Sequence, residues 1–125
     1  MVAAVPIQYH SEIKSGYLYV VTQGSLCSAE EMIAYIDRIH GDLVRAGLSR
    51  VLADETNCHV HMNLDELGRA LREVREPEEL TAAGRKSAVV SSNVNHILSQ
   101  HIFDPVKNIK VFTDRETARK WLTES

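Results

Sequence analysis

The sequence has few cysteines, few aromatic residues and no long apolar run, and each shortage excludes a class of protein. No stretch reaches the ~18 consecutive apolar residues that a membrane span requires, so we expect no membrane span. Two cysteines in 125 residues are too few for a disulfide scaffold. We therefore expect Cys27 and Cys58 to be reduced thiols. The first residues also lack the basic start and apolar core of a secretory signal, which favours a cytoplasmic protein.

The sequence has no excess of basic charge either. Its formal net charge is −3 at pH 7, and acids and bases are mixed along the chain. Proteins that bind nucleic acid usually gather Lys and Arg on one face. The nearest group here, Arg69, Arg72 and Arg75, alternates with acidic residues on one predicted helix. We therefore expect no nucleic-acid partner.

Catalytic motifs are absent as well. The segment Gln23-Gly24-Ser25 has a single glycine, which is too few for a glycine-rich phosphate loop. Asp54 and Glu55 are adjacent in a predicted strand, so they point to opposite faces and make a poor acid and base pair. We predict a protein with no catalytic residue and no cofactor.

The sequence does contain strands that alternate with amphipathic helices, and its length fits a single α/β domain over residues 1–125. A β-branched and aromatic run at 17–22 follows a weaker strand at 7–13, which predicts an antiparallel hairpin. The order is β-β-α-β-α-β-α-β-α, a (βα)n superhelix with a mostly parallel sheet and an N-terminal antiparallel edge strand. The remaining strands are predicted at 50–56, 86–91 and 109–112.

Capping signals delimit the predicted helices. Ser28 with Glu31 forms a capping box, and Gly47 supplies the left-handed stop of the same helix. Asn63 opens the next helix, for which we predict an apolar face of Leu64, Leu67, Leu71 and Val74. Asn93 begins a short helix that stops by Pro105, and Thr113 with Glu116 opens the last one. Its packing face is predicted to be Ala118, Trp121 and Leu122.

From about Tyr17 to Leu122 the chain resembles the bacterial anti-sigma-factor antagonists, which are small STAS-type domains, and more closely their divergent STAS/SEC14-like relatives. The hairpin start, the strands at 51–54 and 87–90, and the ending at 111–122 carry this resemblance. It implies a STAS-like fold and a non-enzymatic regulatory or protein-interaction module.

The sequence departs from those antagonists at one functional position. In them, a serine at the start of the helix after the second parallel strand is phosphorylated, and the added charge breaks the binding of a kinase partner. The matching segment here contains Asn63, Leu64 and Asp65 and has no Ser or Thr. We refer to these three residues as the switch-loop position and transfer no phosphorylation site to it.

Polar residues follow several strands of the predicted sheet. Because the carboxyl ends of parallel strands meet at one edge, we expect these residues to form a binding site there. The candidates are Ser25, Cys27, Glu55, Asn57, His59, His61, Ser91, Ser92, Asn95 and His96.

Two alternatives involve chemistry at this edge. His59 and His61 have a spacing that zinc or copper sites use, and Cys27 and His96 could complete four ligands. However, no Cys-x-x-Cys or helical His-x-x-x-His spacing supports a metal, so we assign none. A cysteine nucleophile at Cys27 or Cys58 has no supporting local motif either. Free cysteines are more often small buried apolar residues, so we assign no nucleophile.

Two further expectations concern partners. If all crossing helices lie on one sheet face, the apolar residues on the other face need cover, which predicts a homodimer as well as a protein partner of unknown identity. The alternative is a small-ligand or lipid-sensing domain of the SEC14-like kind. It requires an apolar cavity of at least ~300 Å³ beneath the helices of Leu64 and Ile97.

Overall fold

The computed structural model describes residues 7–92 and 108–124. The predicted helix after Asn93 lies outside these residues. In chain order the elements are β1 (Gln8–Ile13), β2 (Leu18–Leu26), α1 (Ala29–Ala46), β3 (Arg50–Val60), α2 (Leu64–Glu73), α3 (Glu78–Ala82), β4 (Lys86–Val90), β5 (Ile109–Phe112) and α4 (Arg115–Thr123).

The strands form one sheet in the order β1-β2-β3-β4-β5. The β1 strand pairs with β2 in antiparallel fashion, and every later pair is parallel. The predicted single-domain α/β architecture with an antiparallel edge strand is therefore confirmed for the described residues. None of the described helices has the length and apolar character needed to cross a membrane.

The first face of the sheet carries the larger core. Leu18, Val20, Val51 and Ala53 of the sheet pack in one apolar cluster with buried residues of all three helices that precede β4. Those contributions are Met32, Tyr35, Ile39 and Leu43 from α1, Leu67 and Ala70 from α2, and Leu80 from α3. The crossing helices before β4 thus share one face, as predicted.

The second face is partly covered by α4. Ala118 and Leu122 of this helix pack on Leu52, Ala88 and Phe112 of the sheet. Part of the apolar area that we expected to be open is therefore buried within the chain. The homodimer stays a prediction, supported by less exposed area than the sequence indicated.

Basic side chains from the sheet hold the last turn of α4. Arg50 Nη1 donates to the Leu122 carbonyl at 3.0 Å, and Lys86 Nζ donates to the Trp121 carbonyl at 2.6 Å. Lys86 Nζ also lies 4.2 Å from the centre of the Trp121 ring. Cations at a helix C-terminus satisfy free carbonyls and stabilise the helix dipole, so these contacts fix α4 on the sheet.

The predicted caps are mostly correct. Ser28 Oγ accepts the Glu31 N–H at 3.2 Å, but the Glu31 carboxylate accepts the N–H of Cys27 rather than that of Ser28. Gly47 ends α1 in the left-handed region with φ 68°. The predicted cap of α4 is wrong by one residue: Asp114 rather than Thr113 accepts the N–H of Thr117, at 2.8 Å.

Candidate functional site

The two longest strands extend past the rest of the sheet at its C-terminal edge. The β3 strand pairs with β4 only as far as Asp54, whereas its pairing with β2 continues to Leu26 and Val60. We call this paired extension, residues 23–26 with 57–60, the ribbon. The sequence predicted β3 to end at Thr56, so four residues interpreted as loop belong to a strand. Asn57 and His59 are strand residues, and Ser25 is opposite His59.

A β-bulge separates the ribbon from the sheet below it. Val21 is paired with Asp54 and Gln23 with Asn57, so one residue of β2 is opposite both Glu55 and Thr56. The Asp54 carboxylate accepts the Thr56 N–H at 3.1 Å and the Thr56 hydroxyl at 2.6 Å, which holds the bulge in place. An extra residue in one strand reverses the alternation of its side chains beyond that point.

The reversal explains which side chains of β3 face the first core. Val51 and Ala53 belong to the core that includes α1, and after the bulge Cys58 belongs to the same core. Asn57 and His59 are exposed. Cys58 and His59 therefore have opposite roles: the thiol is a packing group and the imidazole belongs to the surface.

Glu55 sits at the bulge and is hydrogen-bonded to α1. The Tyr35 hydroxyl donates to Glu55 Oε2 at 2.6 Å, and the Thr22 hydroxyl donates to Tyr35 Oη at 3.2 Å. Burial raises the pKa of Glu55 to about 7, with a further increase from the Asp54 charge, while the Tyr35 hydrogen bond acts in the opposite direction. Among the predicted edge residues, Glu55 thus belongs to a partly buried hydrogen-bond network with Tyr35, and its own pKa lies near neutrality.

This network was only partly visible in the sequence. Glu55 is a predicted edge residue, but no role is predicted for Tyr35, and Thr22 is placed only within a predicted strand. The available signal was the Tyr35 hydroxyl, because a tyrosine on the apolar face of a helix needs a hydrogen-bond partner once it is buried.

The structure gives no support to an activated Cys58. Its side chain is 1% exposed, and burial together with the Glu55 charge raises the pKa of the thiol to about 12. A thiol in that state is a poor nucleophile at neutral pH. Cys27 is exposed just after β2, and the two cysteines are not joined in a disulfide.

His59 and His61 lie side by side, as their spacing predicted. Their ring centres are 6.2 Å apart and the planes are inclined by 32°. In residues 7–92 and 108–124, no group of three His, Cys, Asp or Glu side chains is arranged to hold a metal ion. The candidate ligand His96 and the edge candidate Asn95 lie outside those residues, so the site as described does not include them.

The start of α2 lies next to the ribbon. The N–H of His61 donates to the Leu26 carbonyl at 2.8 Å, which ties the segment before α2 to the end of β2. Asn63 Oδ1 accepts the Glu66 N–H at 2.8 Å, so the predicted cap is confirmed. The predicted packing role of Leu64 is wrong: its side chain is 48% exposed, because Leu67 and Ala70 supply the buried face of α2.

The serines after β4 have different environments. Ser91 is buried and its N–H donates to the Phe112 carbonyl at 2.9 Å, which makes it part of the sheet. Ser92 is half-buried at the same edge. The surface that remains consists of the ribbon, the residues that directly follow its two strands and the start of α2. We call it the binding edge: Ser25, Cys27, Asn57, His59, His61, Asn63, Leu64 and Asp65.

One cavity lies away from this edge. It has a volume of about 260 Å³ and is lined by residues of the β1–β2 hairpin, Leu52 and α4, on the second face of the sheet. The SEC14-like alternative requires a cavity beneath α2 and the segment of Ile97, which lies outside the described residues. That alternative stays a prediction.

Comparison with known proteins gives the fold its name. No family model and no curated protein matches the chain. An anti-sigma factor antagonist from Mycobacterium paratuberculosis matches with a TM-score of 0.64 at 13% identity, covering 99% of this chain and 100% of that chain. An uncharacterised protein with a SpoIIAA-like fold from Shewanella loihica matches with a TM-score of 0.54 at 19% identity, covering 98% of each chain.

A third solved structure agrees. The unphosphorylated form of the anti-sigma factor antagonist SpoIIAA matches with a TM-score of 0.51 at 12% identity, covering 90% of this chain and 94% of that chain. At these identities the likeness concerns the fold. The chain is an α/β domain with the STAS-type fold of the anti-sigma factor antagonists.

Proposed function

We propose that this protein is a non-enzymatic regulatory module that binds another protein through the binding edge. The fold supports the proposal, because two solved proteins that share it are named anti-sigma factor antagonists. An antagonist of that kind acts by contact with a protein. The likeness does not identify the partner, so the site itself must supply the argument.

The exposure of Leu64 is the observation that carries the proposal. Its side chain is 48% exposed in the first turn of α2, between the exposed polar residues Asn63 and Asp65. Protein interfaces commonly combine a central apolar anchor with a polar rim. Leu64 has the position of such an anchor, and His59 of the ribbon and the exposed His61 precede it in sequence.

The surroundings of Leu64 are fixed before any partner arrives. The Asn63 cap holds the first turn of α2, and the His61 to Leu26 hydrogen bond holds the approach to it. A surface that is ordered in the free protein loses less conformational entropy on binding. This rigidity favours recognition of a folded partner by direct docking.

We propose that phosphorylation at the switch-loop position does not control this interaction. Residues 62–66 contain no hydroxyl side chain. Asp65 and Glu66 already place carboxylates in the first turn of α2, where the helix dipole favours negative charge. The partner would therefore meet a fixed acidic charge rather than a switchable one.

Chemical cross-linking and affinity capture from the source cells, with identification by mass spectrometry, test the proposal. Leu64→Glu replaces the apolar anchor with a charge and should reduce capture of the partner at least about tenfold, as hot-spot changes do. Ile13→Glu is the matched control, because Ile13 is an apolar residue that is 64% exposed. It pairs with Leu18 at the start of β2, at the end of the sheet far from the binding edge.

The two variants separate a specific anchor from general surface hydrophobicity. Capture should persist with Ile13→Glu, and both variants should keep the circular dichroism spectrum of the native protein. Equal capture by the native protein and by folded Leu64→Glu would contradict the proposed edge.

A further inference from the structure

A second surface of the molecule combines cations with aromatic rings. It is the cavity of about 260 Å³ on the second face of the sheet, between the β1–β2 hairpin and α4. We call it the hairpin cleft. Its lining includes three basic residues, two tyrosines and a leucine: Lys14, Tyr17, Tyr19, Leu52, Arg115 and Arg119. None of these residues belongs to the binding edge.

Arg115 is the central cation of the cleft. Its Nη1 donates to the Tyr19 hydroxyl at 2.9 Å. Within residues 7–92 and 108–124, no carboxylate lies within ion-pair distance of its guanidinium. A guanidinium carries five N–H donors and forms its strongest hydrogen bonds with anions. The Asp54 charge also acts on the guanidinium, but the hydrogen bond to a neutral phenol leaves most of its donors available to a ligand.

The other two cations flank the cleft in pairs that a ligand can replace. Lys14 Nζ pairs with Glu12, and Arg119 pairs with Glu116, which also lines the cleft. All four side chains are well exposed to solvent, at 43% or more. Exposed ion pairs of this kind contribute little to stability, so an entering anion can compete with each carboxylate for its cation.

Two aromatic rings form part of the wall of the cleft, beside its charged residues. Lys14 Nζ and the Arg115 guanidinium carbon each lie 5.7 Å from the centre of the Tyr19 ring. Tyr17 and Tyr19 are half-buried, and Leu52 is 1% exposed at the base. An aromatic ring can stack against such a wall while an attached anionic group reaches the cations.

From this arrangement we propose that the hairpin cleft binds a small organic anion that carries one aromatic ring. The cavity volume of about 260 Å³ lies just below the roughly 300 to 1,000 Å³ that sites for drug-sized molecules span, so the cleft suits a ligand with a single ring. The anionic group binds Arg115 with help from Lys14 or Arg119, and the ring packs on Tyr17 and Tyr19. This site is independent of the protein-binding edge.

Titration of the isotope-labelled protein with phenyl phosphate, followed by amide NMR, tests the site. Inorganic phosphate and benzyl alcohol serve as probes of the charge alone and of the ring alone. Saturable shifts should concentrate on the amides of residues 14–19 and 115–119. Phenyl phosphate should bind at least about tenfold more tightly than either control, because it uses both parts of the cleft.

Two charge-removing variants identify the cation that matters. Arg115→Gln should weaken phenyl phosphate binding at least about tenfold. Lys14→Gln, in an exposed turn, should weaken it by a smaller factor. Arg69→Gln is the matched control, because Arg69 is an exposed arginine of α2 that pairs with Glu30 and does not line the cleft.

Several outcomes would overturn the proposal. Absence of saturable shifts at millimolar phenyl phosphate, or shifts centred on other residues, would exclude the site. Equal affinities for phenyl phosphate and inorganic phosphate would exclude the aromatic part. Equal weakening by Arg115→Gln and Arg69→Gln would show that only net charge matters, and this would overturn the role of the cleft.

Discussion

Replacement of Glu55 by Gln should stabilise the protein at and above neutral pH and have little effect in acid. The carboxyl is buried at the β3 bulge, where it accepts the Tyr35 hydroxyl at 2.6 Å and its pKa is raised to about 7. The amide oxygen of Gln can accept the same hydrogen bond without a buried charge. The substitution therefore removes the cost of ionisation and keeps the contact.

The magnitude follows from the two pKa values. The ordinary value is 4.5 and the value in the folded protein is about 7, so the folded state holds the proton more tightly. At ~1.36 kcal/mol per pKa unit, ionised Glu55 destabilises the fold by about 3 kcal/mol. The folded state binds more protons between these pKa values, so this stability is present below about pH 4.5 and is lost as the pH rises to about 7.

Urea unfolding of the native protein and of Glu55→Gln, measured at about pH 5 and pH 8, checks the prediction. The difference in free energy of unfolding between the two proteins should grow by roughly 2 to 3 kcal/mol from the lower to the higher pH. His40, whose pKa is lowered by burial, contributes equally to both proteins and therefore cancels from the difference.

Glu73→Gln provides the control, because Glu73 is an exposed carboxylate on α2. Its free energy of unfolding should follow that of the native protein at both pH values. If the difference between the native protein and Glu55→Gln does not change with pH, then Glu55 does not titrate near neutrality and the reasoning from its burial is refuted.

Three further predictions concern the network, the last helix and the oligomeric state. Tyr35→Phe removes the donor that lowers the pKa of Glu55, so urea unfolding at about pH 8 should show a loss of about 1 to 3 kcal/mol, with a smaller loss near pH 5. An equal loss at both pH values would mean that the hydroxyl does not act through Glu55. Asp114→Ala should lower the midpoint of thermal unfolding, because Asp114 caps α4, while Thr113→Ala should lower it much less. The reverse order would support Thr113 as the cap, as predicted from sequence. The homodimer predicts a mass of twice 14.0 kDa by size-exclusion chromatography with light scattering at micromolar concentration, and a monomer mass would contradict it.

The sequence predicted the fold well because its signals are local. The spacing of Met32, Ile39 and Leu43 identifies α1, and Ser28 and Gly47 mark its ends. Short connections between consecutive strands then place neighbours in sequence beside each other in the sheet. The position of α4 on the second face could not be predicted in this way. It involves contacts that are distant in sequence: Arg50 of β3 and Lys86 of β4 donate hydrogen bonds to the last turn of α4.

The length of β3 was underestimated because the residues of the ribbon have low strand propensity. Asn57 and His59 are polar and exposed, and Asn is depleted in strands. They are strand residues because β2 continues alongside them and pairs as far as Val60. Tertiary pairing outweighed local preference, and a single sequence carries no direct record of that pairing.

The β3 bulge also explains why the binding edge could be predicted only in part. Strict alternation from Val51 and Ala53 would place Glu55, Asn57 and His59 on the face of α1. The extra residue, held by the Asp54 to Thr56 hydrogen bonds, keeps Glu55 in contact with Tyr35 but brings Cys58 into the core beyond it.

The same bulge gives different environments to Glu55 and His59, which are predicted from the sequence as one group of edge residues. At the bulge, Glu55 is a half-buried acid with a pKa near neutrality, and beyond the bulge His59 lies on the exposed ribbon that leads to Leu64. Insertion of one residue thus places a half-buried carboxyl, hydrogen-bonded to α1, beside an exposed surface. Loss of the Thr56 contact to Asp54 should therefore disturb the titration of Glu55 and the geometry of the binding edge together, because both depend on the register of β3.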